Sequence, residues 1–192
     1  MSSLYLEIFK LKTLLRKGWL MRGVSSQKEG GRVESDAEHS FSMALLALEI
    51  MEKHKLPLNQ LKVVKMVLYH ELCEIDFGDH TPFDKISKQE KYEGELKCIK
   101  RLSKECNMPD ILTLWKEFEE GKTPEARFVK QMDKLDAVLQ SKIYSQIKQD
   151  NDEVFDEFYS FSKTLIQDYG DYIKDYCKQI DDDKLEDEHE DY

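Results

Sequence analysis

An all-α protein built as one domain is what this sequence predicts. Its 192 residues include only eight glycines and four prolines, so breakers of long helices are scarce. Apolar residues recur three and four positions apart through most of the chain, and no stretch alternates apolar and polar residues as a half-buried strand does. There is no internal repeat, and 40% apolar residues over this length suffice for one buried core.

The elements follow in order. Leu4, Ile8, Leu11, Leu14 and Leu15 sit at helical spacing and predict a first amphipathic helix. The segment GVSSQKEGGR reads as a loop. Ser35-Asp36-Ala37-Glu38 is a capping box, in which the Ser hydroxyl accepts from the Glu38 amide and the Glu38 carboxylate reaches back. It starts a helix that runs through FSMALLALEIMEKH. Pro57 restarts the chain, and LNQLKVVKMVLYHELCEI predicts a third helix, ended by Gly78 and by Pro82 of the GDHTP segment. A charged helix over about 88–104 and a shorter one over about 111–120 come next. Pro124 lies near the start of a long helix, ARFVKQMDKLDAVLQSKIYSQI, whose stripe is Phe128, Met132, Leu135 and Leu139. A last helix is expected over about 154–180. The domain thus spans residues 1–180, and 181–192 forms a short acidic C-terminal tail expected to be disordered.

Charge narrows the function. The net charge is -10, and eight acids with one lysine make the last twelve residues the main source of it. A broad polyanion-binding surface needs clustered Lys and Arg, so no nucleic-acid partner is expected, although a local site can still take a small phosphorylated ligand. No run of 18 apolar residues exists, and the first 17 residues lack the apolar centre of a signal peptide, so no membrane association is expected. Four cysteines without CxxC spacing fit reduced thiols in a cytoplasmic protein. The HELCE sequence places Glu74 where an HExxH zinc motif needs its second His, and neither GxxxxGK[ST] nor GxSxG occurs.

Four ionisable residues stand in or beside apolar faces. His39 follows the capping box, His70 and Glu71 lie inside VVKMVLYHELCEI, and Asp133 adjoins Met132 on the long helix. Each has an ordinary reading: a helix-terminus histidine, a core histidine, a carboxylate paired with Lys130 or Lys134. Together they point elsewhere. Burying an unpaired ion costs several kcal/mol, and one divalent cation shared between facing helices compensates all four.

The order His39, His70-Glu71, Asp133 resembles the H…HD…D signature of the HD-domain metal-dependent phosphohydrolases. Four segments, RKGWLMRGV, ESDAEHSFSMALLAL, HELCEIDFGDHTP and ARFVKQMDKLDAVLQ, resemble in sequence and order the 5′-deoxynucleotidase branch of that family. The resemblance implies a compact HD-domain helical bundle that hydrolyses (deoxy)nucleoside 5′-monophosphates. It implies that His39, His70, Glu71 and Asp133 hold one divalent ion, Mn, Co, Fe or Zn being compatible with such ligands, with Asp136 the reserve for Asp133. Glu74 falls on the catalytic glutamate; at i+4 from His70 it shares that residue's helical face and could orient or deprotonate the attacking water. Asp79 matches a position near the substrate, and Arg16 and Trp19 match those that meet the phosphate and sugar. A homodimer is implied too. One position departs from the pattern: Glu71 stands where the family has Asp and reaches about 1.5 Å further. Other HD-domain substrates, such as cyclic nucleotides or pyrophosphate derivatives, and a weakened metal- or nucleotide-binding scaffold are the alternatives.

Overall fold

A computed structural model describes residues 3–24, 31–81, 83–148, 153–162 and 170–182. Their regular structure is helical: α1 (Leu4–Glu7), α2 (Lys17–Arg22), α3 (Asp36–His54), α4 (Gln60–Tyr69), a 3₁₀ turn (His70–Cys73), α5 (Glu74–Phe77), α6 (Lys88–Glu105), α7 (Pro109–Glu120), α8 (Pro124–Lys148), α9 (Glu153–Ser162) and α10 (Gly170–Asp182). The all-α expectation holds.

Two elements differ from the expectation. The first helix stops at Glu7 and continues as turns. Leu15 instead forms an antiparallel bridge with Ser35, while the Arg16 N–H donates to Glu34 O and the Asp36 N–H to Leu14 O, each at 3.0 Å. These bonds take residues 14–16 out of a helix, and Leu11 reaches the core without one. The third helix is not continuous either, because it tightens into the 3₁₀ turn at His70. α2 is an addition, closed by Gly23 in the left-handed region (φ 62°) where a Cβ is disfavoured. Over the last expected helix, α9 and α10 are described and 163–169 lie outside the described residues, as do 25–30 of the loop, Pro82, and 183–192 of the tail.

The core gathers Met43 and Ile50 of α3, Val63 and Met66 of α4, Leu102 of α6, Trp115 of α7, and Met132 and Leu135 of α8, all essentially unexposed. Each such side chain contributes roughly 1.5–3 kcal/mol of burial. A smaller cluster of Trp19, Val24, Val33, Tyr144 and Val154 ties α2 to the far ends of α8 and α9. α8 packs against α3, α4, α7, α9 and α10, so ionisable groups on its inner side face those of other helices. The capping box of α3 forms in full: Ser35 Oγ accepts from the Glu38 N–H at 3.3 Å, and Glu38 Oε2 accepts from the Ser35 N–H at 2.8 Å. It sets His39 in the first turn of α3, facing inward.

Candidate metal centre and its cleft

α3, the 3₁₀ turn and α8 bring His39, His70, Glu71 and Asp133 together. One ligand atom of each lies within 4.8 Å of those of the other three. Both imidazoles are oriented from behind. His39 Nδ1 lies 2.8 Å from Asp136 Oδ2, and His70 Nδ1 lies 2.6 Å from Val67 O. A carboxylate and a carbonyl can only accept, so each Nδ1 carries a proton and each Nε2 is the nitrogen turned to the cluster. Both Nε2 atoms are buried and neither makes a hydrogen bond. Their nearest charged neighbours are Asp133 Oδ1, 3.3 Å from His39 Nε2, and Glu71 Oε1, 3.2 Å from His70 Nε2. Two imidazole nitrogens and two carboxylates, converging without a hydrogen-bond partner for either nitrogen, are a donor set that fits a divalent cation.

The electrostatics agree. Burial and Arg16 oppose charging His39, yet Asp133 and Asp136 prevail and raise it to about 10. Burial also opposes ionisation of Glu71 and Asp133, but Arg16 and His70 hold Glu71, and Lys134 and His39 hold Asp133, well below the usual carboxylate range. Two ionised carboxylates therefore draw positive charge to the site, and a cation competes with the His39 proton for Nε2.

His70, Glu71 and Asp133 line a cleft of about 1050 Å³ that also takes in Arg16, Trp19, Glu74 and Asp79. An HD-domain profile matches residues 8–171. The chain belongs to the HD-domain family. It is 38% identical over 155 residues to the 5′-deoxynucleotidase HDDC2 of Dictyostelium discoideum, covering 74% of this chain and 78% of that one. It is 32% identical over 142 residues to human 5′-deoxynucleotidase HDDC2, covering 72% of this chain and 65%, just under two thirds, of the human protein. Among solved structures, a predicted metal-dependent phosphohydrolase of Magnetospirillum magnetotacticum superimposes with a TM-score of 0.69 at 27% identity, over 91% of this chain and 90% of that one. A conserved hypothetical protein of Pyrococcus furiosus gives 0.70 at 25% identity, over 93% and 98%.

The remaining residues of this HD-domain site are placed as follows. Arg16 Nη1 donates to Glu71 Oε1 at 2.7 Å and lies 3.7 Å from Asp36 Oδ1. Burial works against its charge, but Glu71, Glu74, Asp79 and Asp133 hold the guanidinium well above its ordinary value. Glu74 is buried beside Glu71 and Asp36, with Oε2 unpartnered. It is therefore no surface residue, and Lys65 pairs with Asp110 instead. The 3₁₀ turn removes the regular i, i+4 relation expected between His70 and Glu74; the tighter turn itself carries Glu74 inward. Burial, then Glu71 and Asp36, push the Glu74 carboxyl well up. Asp79 lines the cleft while its Oδ2 accepts the Lys17 N–H at 2.6 Å, fastening its loop to α2. Trp19 lines the cleft but is 2% exposed: its Nε1–H donates to Glu34 Oε1 at 2.8 Å and its ring stacks on Phe158. Lys134 pairs with Asp133 Oδ2 at 2.7 Å, so the ordinary partner of Asp133 is present as well as the cluster.

One functional candidate escaped the sequence reading, and another takes a different part from the one expected. Asp36 is fully buried with neither oxygen hydrogen-bonded, and burial and Glu71 raise it to about 7 against Arg16. Asp136, held in reserve as a ligand, stands outside the cluster and orients His39 instead.

Proposed function

We propose that this chain removes the 5′-phosphate from deoxynucleoside 5′-monophosphates, using one divalent cation held by His39, His70, Glu71 and Asp133. The observation that carries this is the pair of Nε2 atoms, neither with a hydrogen-bond partner, facing two carboxylates, with His70, Glu71 and Asp133 of this cluster in the wall of a cleft. The names of the Dictyostelium and human relatives supply the substrate class.

A divalent cation bound there polarises a phosphoryl oxygen and lowers the pKa of water. Glu74, buried beside the cluster with no hydrogen-bond partner for Oε2, is the base in its ionised form, favoured beside a cation against burial, Glu71 and Asp36. Its Oε2 takes the proton of the water whose oxygen attacks phosphorus. As the bond from phosphorus to the 5′-oxygen breaks, the same carboxyl can return that proton to the departing alcohol. Arg16, charged and cleft-lining, pairs with the phosphoryl oxygens. Asp79 ties its own stretch of chain to α2, and Trp19, clamped by Glu34 and Phe158, gives a rigid wall beside the sugar. Glu71 serves two masters through one oxygen, Arg16 and the cluster, which makes its extra methylene part of the design of this site.

A homodimer and a cytoplasmic location belong to the same reading. Phe41 and Leu45, one turn apart on α3, are large exposed apolar side chains that a second copy would cover, and Cys73, Cys98, Cys106 and Cys177 form no disulfide among the described residues. Phosphate release from a panel of deoxyribo- and ribonucleoside monophosphates, with Mn, Co and Mg in turn, tests the activity. Release from cyclic nucleotides or pyrophosphates alone would favour another HD-domain substrate.

A further inference from the structure

Trp19, Phe158, Arg22 and Phe83 form one continuous stack along the cleft. The Trp19 and Phe158 rings are 4.2 Å apart and inclined by 28°. The Arg22 guanidinium carbon lies 4.7 Å from the centre of Phe158 and 5.8 Å from that of Phe83. The edges of that guanidinium are engaged: Nη1–H donates to Gly18 O and Nε–H to Glu157 Oε2, both at 2.8 Å, and Nη2–H to Glu157 Oε1. Its faces are thereby left for stacking. One end of the stack is closed, since Trp19 is buried. The other is open, with Phe83 65% exposed.

Phe83 is nevertheless held in place. Its N–H donates to Thr81 Oγ1 at 3.3 Å, Asp84 Oδ2 accepts the Thr81 N–H at 2.7 Å, and Lys17 Nζ pairs with Asp84 Oδ1. A large ring carried on a pinned backbone at the rim of a cleft loses less freedom when it is covered than one on an untethered loop. The buried part of the same cleft carries the cation cluster, so a nucleotide whose phosphate sits there extends its base toward the exposed rim.

We infer that Phe83 is the base-selecting residue of this cleft, stacking on the nucleobase at the open end of the Trp19–Phe158–Arg22 ladder and favouring purine over pyrimidine monophosphates. The inference rests on the monophosphate reading above. Every base has a π face, and a purine covers more of a phenyl ring than a pyrimidine does.

The test is steady-state kinetics on dAMP and dCMP for wild type, Phe83→Ala and Phe83→Trp. Alanine substitution of a base-stacking ring costs on the order of 5- to 150-fold in affinity. For a half-open platform, Phe83→Ala should raise the KM for dAMP about tenfold, leave kcat within about twofold, and bring the two KM values together; Phe83→Trp should restore the difference. An unchanged dAMP KM, an equal loss for both bases, or a fall confined to kcat overturns the inference while leaving the hydrolase reading intact. If wild type releases phosphate from no nucleotide, that reading falls instead. Calorimetric binding of dAMP then judges the platform alone: tighter binding by wild type than by Phe83→Ala supports it, and equal or absent binding overturns it.

Discussion

His39 and His70 each commit one ring nitrogen to an acceptor behind them, and this leaves the two Nε2 atoms aimed at the same point. His70→Ala or Asp133→Ala should therefore remove bound metal and phosphate release together while leaving a helical protein, checked by elemental analysis and circular dichroism; full metal occupancy in both would contradict the ligand assignment. Glu74→Gln should keep the metal and lose about 10²–10⁴-fold in turnover; near-normal turnover would return Glu74 to a structural role. Glu71 Oε1 lies 2.7 Å from Arg16 Nη1 and 3.2 Å from His70 Nε2. An aspartate there, about 1.5 Å shorter, cannot keep both contacts, so Glu71→Asp should lower turnover with Mn, Co and Mg alike. A gain with every metal would mean that Glu71 is a damaged ligand. The histidines, Glu71 and Asp133 were legible because charged residues stand out among Val, Met and Leu. Asp36 was not, since an aspartate in the first turn of a helix is ordinary; nothing in the sequence marks it as buried.

The segments that position these side chains divide by what determines them. Local chemistry sets α3, α6 and α8: the capping box at Ser35 and the proline at 124 mark two starts in the sequence, whereas the equally local box at Ser87 and Glu90 escaped the sequence reading. Long-range hydrogen bonds set the short α1, α2 and the 3₁₀ turn region, as between Arg16 N–H and Glu34 O or Lys17 N–H and Asp79, and no local pattern announces them. The cap of α3 is pH-dependent. Arg32, together with the Ser35 backbone and hydroxyl, holds the Glu38 carboxyl down to about 2 against some burial. A depressed carboxyl stabilises the fold above its ordinary value of 4.5 and loses that contribution as pH falls toward about 2. Glu38→Gln should flatten this part of the acid unfolding curve, and an unchanged curve would show that the cap adds nothing. At Gly94 of α6 a Cβ would lie 2.1 Å from the Phe77 ring, which closes the turn bearing Glu74. Gly94→Ala gains ~1 kcal/mol of helix propensity yet should destabilise by roughly 1–3 kcal/mol through overpacking, read as a lower midpoint in urea.

For the whole molecule, the apolar core assembles the helices and the cleft concentrates ionisable groups that the core alone would not tolerate. Asp36, Glu71 and Glu74 are all buried, and Arg16, with His39 and His70 beside Glu71, offsets them from the protein side. A bound cation should relieve this crowding. At about 100 times its Kd it contributes ~2.7 kcal/mol, or roughly 5–10 °C in Tm for a domain of this size, and chelation should reverse the gain. The overall helical class was legible from periodicity and scarce breakers, because those report on burial. The packing that joins Trp19 to Phe158, or Phe83 to Arg22, was not, because partners 61 to 139 residues apart leave no trace in local spacing. The most direct measurement is phosphate release from dAMP and the other deoxynucleoside 5′-monophosphates by protein stripped of metal and then given Mn or Co, with the bound ion counted. Release that appears only with metal, at about one ion per chain, is the expected result. A folded protein that holds no ion, or that releases phosphate equally well in excess chelator, would contradict it.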